Sequence, residues 1–194
     1  MSGRKIWMFL SFMALAGIAV AAQQSKVPPP PKPADDGPSL AVTMKFIQDK
    51  INDQGKLNYA LYVHDNANGS DWIVQKSLEA GNVVSNPVTW WIRYHWNVWD
   101  NGTAVQSADA GFSLRDVQDI VVMPLEQEVK QADAKGGYTT RSYKSDPPVF
   151  VLMARREKGI TNSFYFFDED MANRVAKAMV HAVELCGGGN KDPF

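Results

Sequence analysis

The residues of this chain best able to do chemistry are its three histidines, its single cysteine and a dense run of tryptophans. His64, Asn66, Asn68 and Gly69 fall where a calcium-binding loop places its first, third, fifth and sixth residues. The pattern fails at the strongest ligands, because an acid is required where His64 stands and a bidentate acid where Gln75 stands. A polar hairpin turn accounts for the same residues. His64, His95 and His181 have no histidine or cysteine partner at short ligand spacing, so no zinc site is expected and no metal is assigned. Cys186 sits at the C-terminus of a predicted helix, where the negative end of the dipole opposes thiolate formation, and it reads as a packing residue. No GxSxG elbow, phosphate-cradling glycine loop or dinucleotide fingerprint is present, so the sequence assigns no catalytic residue and no cofactor. A hydrolase without a recognisable motif would need His64, His95 or an acid pair such as Asp116 and Asp119 to converge in a cleft.

The aromatic run is the one unusual concentration. Thr89 to Trp99 alternates as a strand, with Trp90, Ile92, Tyr94, Trp96 and Val98 on one face. The other face sets Trp91, Arg93, His95, Asn97 and Trp99 in a row, alternate side chains being roughly 7 Å apart. Flat rings beside polar groups suit a sugar or an aromatic-rich partner. Alternatively an N-terminal helix covers this row, since such a helix needs an apolar partner; cover is the favoured reading.

These candidates belong to an exported polypeptide by the look of its leader. Arg4 and Lys5 precede an uncharged apolar stretch from Ile6 to Val20, and small residues follow to Ala22, so residues 1–22 read as a signal peptide cleaved between Ala22 and Gln23. Membrane contact is expected only if this leader stays uncleaved. Its removal leaves 18 basic residues against 21 acidic ones, a net −3. Scattered bases on a mildly acidic chain exclude nucleic acid as an expected partner. One cysteine also excludes an internal disulfide, so the core alone must hold the domain together. Residues 23–37, with Pro28 to Pro31 and Pro33, read as an extended linker, residues 38–189 as one domain and 190–194 as a flexible tail.

Within the domain, Ser39 is an N-cap for a helix whose Leu40, Met44, Ile47 and Ile51 share one face, ending near Gly55. Leu57, Tyr59, Leu61 and Val63 then alternate as a strand, followed across a polar turn by a second from Asp71 to about Glu79. Asp100-Asn101-Gly102 signals a hairpin. Short strands follow near Thr103 to Gln106, Phe112 to Val117 and Asp119 to Met123. Leu125 to Gly137 is weakly helical and polar, with too little apolar surface to anchor to a core. Tyr138 to Lys144, Val149 to Ala154 and Phe164 to Phe167 are further strands, and Asp168 caps a helix with Met171, Val175, Met179, Ala182 and Cys186 in one stripe.

Short antiparallel strands followed by one closing helix resemble the pleckstrin-homology-like (PH-like) barrel. The resemblance rests on Phe112 to Val117 leading into Ile120-Val121-Val122, on Val149 to Leu152, on Phe164 to Phe167 and on the helix from Glu169 to Cys186. It implies an α+β fold, an antiparallel barrel-like sheet with a closing C-terminal helix, to which the helix at Leu40 is an addition. The chain as a whole also resembles small exported bacterial proteins. The PH-like resemblance implies a non-catalytic scaffold for proteins, peptides or lipids. Phosphoinositide binding in that family depends on a basic loop between the first two strands, and Asp65 to Asp71 carries acids and no base. The expectation is a periplasmic or extracellular module that binds a protein or peptide, the alternative being a glycan-binding domain using Trp91, Arg93, His95, Asn97 and Trp99.

Overall fold

A computed structural model describes residues 37–189. The expected leader, its cleavage position, most of the linker and the tail lie outside these residues. The fold is α+β, with three α-helices and eight antiparallel strands in two sheets among the described residues. Helix α1 (Leu40–Gln54) starts at Ser39, whose hydroxyl accepts from the Val42 amide at 3.4 Å. Strands β1 (Lys56–Asp65), β2 (Ser70–Asn86), β3 (Trp91–Asp100), β4 (Thr103–Ser113) and β6 (Arg141–Asp146) make a five-stranded sheet in the order β4-β3-β2-β1-β6. Strands β5 (Val117–Pro124), β7 (Phe150–Arg156) and β8 (Thr161–Phe166) make a three-stranded sheet with β7 in the centre. Helix α2 (Leu125–Lys135) lies between β5 and β6, and α3 (Glu169–Leu185) is the last element of the described residues.

Alternation dictates which faces are buried. Leu57, Tyr59, Leu61 and Val63 of β1 turn inward with Leu78 and Met123, Val151 and Met153 of the facing sheet. Met44, Ile47 and Ile51 of α1 join Ile92, Tyr94 and Phe112 with Val175, Met179 and Ala182 of α3 in a second cluster. The tilted rings of Tyr94 and Phe164, with centroids 5.0 Å apart, and the stacked pair Trp96 and Tyr165, at 5.5 Å, connect the sheets.

The structure corrects several expectations. The sheets do not close into a barrel. Among the described residues strand β4 pairs only with β3, and its residues 103–109 are exposed on both faces, so no ladder joins it to the second sheet. Strand β2 does not stop near Glu79 but continues to Asn86, because a bulge between Gly81 and Val84, with Asn82 at φ 53°, absorbs the break that Gly81 signals. The short strands expected at Thr103 and Phe112 are one strand, and a 3-10 turn at Leu114–Asp116 carries the chain into the other sheet. The segment after Pro124 is a helix anchored by Leu125, only 2 % exposed. Its far end is tied to β6, where Asp133 accepts from Tyr143 and from Arg141. Trp90 precedes β3 at φ 59°, a backbone conformation unfavourable for a bulky residue, and its ring lies 3.3 Å beneath the Arg115 guanidinium. That guanidinium also donates from Nε to the Cys186 carbonyl at 3.0 Å, which fastens Trp90 to the end of α3.

Candidate functional site

Register decides what stands on the outer surface of the five-stranded sheet. Trp91, Arg93, His95, Asn97 and Trp99 all face outward, because Ile92 and Tyr94 between them are buried against α1, β8 and α3. The α1 helix therefore covers the opposite face from the one the sequence favoured for it. Its apolar stripe joins Ile92 and Val83 in one buried cluster, and among the described residues no helix covers the row of Trp91 to Trp99. Trp91 is 38 % exposed, with the Arg93 guanidinium 5.7 Å from its ring centre. Trp99 is half-buried, and the Lys56 ammonium sits 3.8 Å over its ring, so one aromatic face is already occupied by a cation.

The neighbouring strand supplies groups that sequence reasoning missed. Asp109 lies directly opposite His95 and Ser107 directly opposite Asn97. His95 uses both ring nitrogens: Nδ1 is 2.8 Å from Asp109 Oδ1, and Nε2 is 3.0 Å from Ser107 Oγ. Asn97 donates weakly to Glu79, at 3.4 Å. The signal for this cluster was the Asn101-Gly102 turn, which pairs the two strands, but the pairing face depends on a bulge that no residue type announces. Farther across the sheet, His64 makes a second exposed pair with Asp71 at 2.8 Å. Tyr62, His64, Ile73, Ser142 and Lys144 shape a shallow saddle of about 560 Å³ there. Asp116 and Asp119 do not form an acid pair; Asp119 binds Arg155 at 3.2 Å.

The inner side of β4 is different. Gln106, Ala108 and Ala110 form one wall of a slot of about 290 Å³ whose floor is Tyr94 and Trp96. Strand β8, which among the described residues has β7 as its only ladder partner, forms the other wall through Thr161 to Ser163 and Tyr165. Small alanines on β4 leave the slot open. Burial raises the Tyr94 hydroxyl above the ordinary tyrosine range, against a bond of 2.8 Å from the Asn162 amide, so it stays a neutral hydrogen-bonding group.

The remaining candidates are held in packing and backbone contacts. Cys186 is 5 % exposed, and burial pushes its thiol up, opposed by the nearby Arg115. His181 donates from Nε2 to the Pro38 carbonyl at 3.0 Å and so pins the chain ahead of α1 to α3. Among the described residues no group of three or more His, Cys, Asp or Glu side chains is placed to hold a metal ion. Among the same residues no helix is long and apolar enough to cross a membrane. Comparison with protein-family models, with curated proteins and with solved structures gives no match for this chain.

Proposed function

We propose that this protein is an interaction module that accepts an extended segment of another polypeptide between β4 and β8. The observation that carries the reading is the open slot of about 290 Å³ flanked by two strands that each have one ladder partner among the described residues. An added strand would find unpaired backbone groups along an edge and apolar rings of Tyr94 and Trp96 below its alternate side chains. The other sheet edges are better protected. Strand β6 carries Arg141, Lys144 and Asp146, and β5 ends in Pro124. A PH-like assignment belongs to the same proposal, supported by the antiparallel sheets and the C-terminal helix packed on them. So does an exported location, supported by the leader and the cleavage positions Ala22 and Gln23.

The test uses the immobilised full chain and a random linear-peptide display library. Selected peptides should bind the wild type and lose at least about tenfold in affinity for Ala108→Trp, which fills the slot, a difference of about 1.4 kcal/mol. Recovery of no peptide, or of peptides indifferent to Ala108→Trp, rejects the reading.

A second reading, glycan binding on the outer face, is favoured by the 38 % exposure of Trp91. The Lys56 cation over Trp99 works against it. Screening on a glycan array separates the two: binding removed by Trp91→Ala together with Trp99→Ala, and unaffected by Ala108→Trp, supports the glycan reading.

A further inference from the structure

We propose that Ser107, His95 and Asp109, with the Asn97 amide beside them, form an acyl-transfer site for small esters on the outer face of the sheet. The inference is independent of the slot, which lies on the other face of β4. The order of atoms is that of a nucleophile, a base and an orienting carboxylate. Ser107 Oγ meets His95 Nε2 at 3.0 Å, and His95 Nδ1 meets Asp109 Oδ1 at 2.8 Å. An Nδ1–H donated to Asp109 leaves Nε2 unprotonated and aimed at the Ser107 hydroxyl, which is the tautomer a general base needs.

The fourth group is supplied by pairing. Asn97 stands directly opposite Ser107, and side chains so placed have their Cβ atoms about 5 Å apart. Its amide makes one long contact, 3.4 Å to Glu79, so turning an N–H toward an oxygen growing near Ser107 costs little. Ser107 Oγ would add to the ester carbonyl carbon as its proton passes to His95 Nε2, and the carbonyl oxygen would become an oxyanion facing Asn97. Collapse breaks the bond to the alcohol oxygen, which leaves with the proton from His95. Water, deprotonated by the same nitrogen, then adds to the acyl group on Ser107 and releases a carboxylic acid, so that ester and water give acid and alcohol.

Exposure sets the substrate and the speed. The Asp109 side chain is 94 % exposed and that of His95 is 34 % exposed, so water screens the relay and turnover should be slow. Neither the saddle at His64 nor the slot over Tyr94 is lined by Ser107, His95 or Asp109, so acetyl esters should be preferred over long-chain ones.

The experiment treats the full chain with a biotinylated fluorophosphonate and locates the label by peptide mass spectrometry, alongside hydrolysis of p-nitrophenyl acetate and p-nitrophenyl octanoate. Label on Ser107, lost in Ser107→Ala and slowed about 100-fold or more in His95→Gln, is the expected result, because a positioned base contributes at least that much. Acetate hydrolysis should fall to the uncatalysed rate in Ser107→Ala and exceed octanoate hydrolysis in the wild type. Circular dichroism should be unchanged in both variants, the side chains being outside the core. Absence of label, label on another residue, equal labelling of His95→Gln, or acetate hydrolysis unchanged in Ser107→Ala overturns the proposal.

Discussion

His95 and Asp109 face one another across the β3–β4 hairpin, Nδ1 to Oδ1 at 2.8 Å, and a bulge at Val105 puts them there. Asn101 and Gly102 both have positive φ, 49° and 80°, which makes a two-residue turn that pairs Asp100 with Thr103 and Trp99 with Ala104. Continued without interruption, that register would set His95 opposite Ala108 and turn Ser107 and Asp109 inward. Val105 is passed over, Val98 pairs with Gln106, and every later residue of β4 changes face.

Cross-linking tests this register. Cysteines introduced by His95→Cys and Asp109→Cys should form a disulfide under mild oxidation, since directly opposed residues bring Cα atoms within about 4.5–5.5 Å of each other. The pair His95→Cys and Ala108→Cys should not, because its side chains point to opposite faces. A bridge in the second pair only would mean that the bulge is absent.

The docking of α1 predicts a large difference between two of its residues. Ile47 is fully buried against the sheet, and Ile47→Ala should cost about 2–5 kcal/mol. Val42 is 60 % exposed on the same helix, and Val42→Ala should change stability by no more than about 0.5 kcal/mol. Urea unfolding followed by tryptophan fluorescence measures both. Equal effects would show that the helix is not packed through its Met44–Ile47–Ile51 face.

Gly188 is held by contact. A Cβ there would sit 2.8 Å from the Leu114 carbonyl oxygen and 3.0 Å from Arg115 Cα, and backbone cannot yield as a flexible side chain does. Gly188→Ala should therefore destabilise by about 1–3 kcal/mol, the range for overpacking. The neighbouring Gly187, at φ 69° with nothing within 4 Å, should tolerate Asn far better, since Asn enters the left-handed region readily. Thermal unfolding of the two variants should separate them.

Alkaline pH should unfold the domain by way of its buried phenols. Burial, assisted by the Glu128 carboxylate, raises both Tyr59 and Tyr165 well above the ordinary tyrosine value. The folded state then favours the protonated form, so its stabilising effect is complete below the unfolded pKa of about 10 and is lost progressively as pH rises above that. Tyrosinate absorbance at 295 nm should rise in two stages, the second coinciding with loss of far-UV circular dichroism. A single stage completed before any loss of structure would contradict the burial of these two hydroxyls.

Cys186 should be almost inert until the chain opens. Its thiol is buried and raised, so at pH 8 the folded protein carries less thiolate than an unfolded chain, and the side chain is also shielded from reagents. Reaction with DTNB should be slow in buffer and complete within minutes in 6 M guanidinium, a concentration above about 5 M unfolding all but hyperstable domains. Rapid reaction in buffer would place the α3 C-terminus in a looser environment than the Arg115 clamp implies.

Much of this molecule was legible from residue order alone. Ser39 and Asp168 cap helices where their types and the following apolar stripes say they should, because capping and amphipathic period are local properties. The face carrying Trp91, Arg93, His95, Asn97 and Trp99 was likewise determined by alternation within one strand. Local pattern could not say which sheet face α1 covers, that β4 would stay unpaired along one edge, or that Ser107 and Asp109 would flank His95. Those depend on strand order and on a one-residue bulge, where the choice among registers rests on how much apolar surface the whole sheet buries. Within β3 the sequence determined which residues share a face; only the tertiary structure decided what stands opposite them.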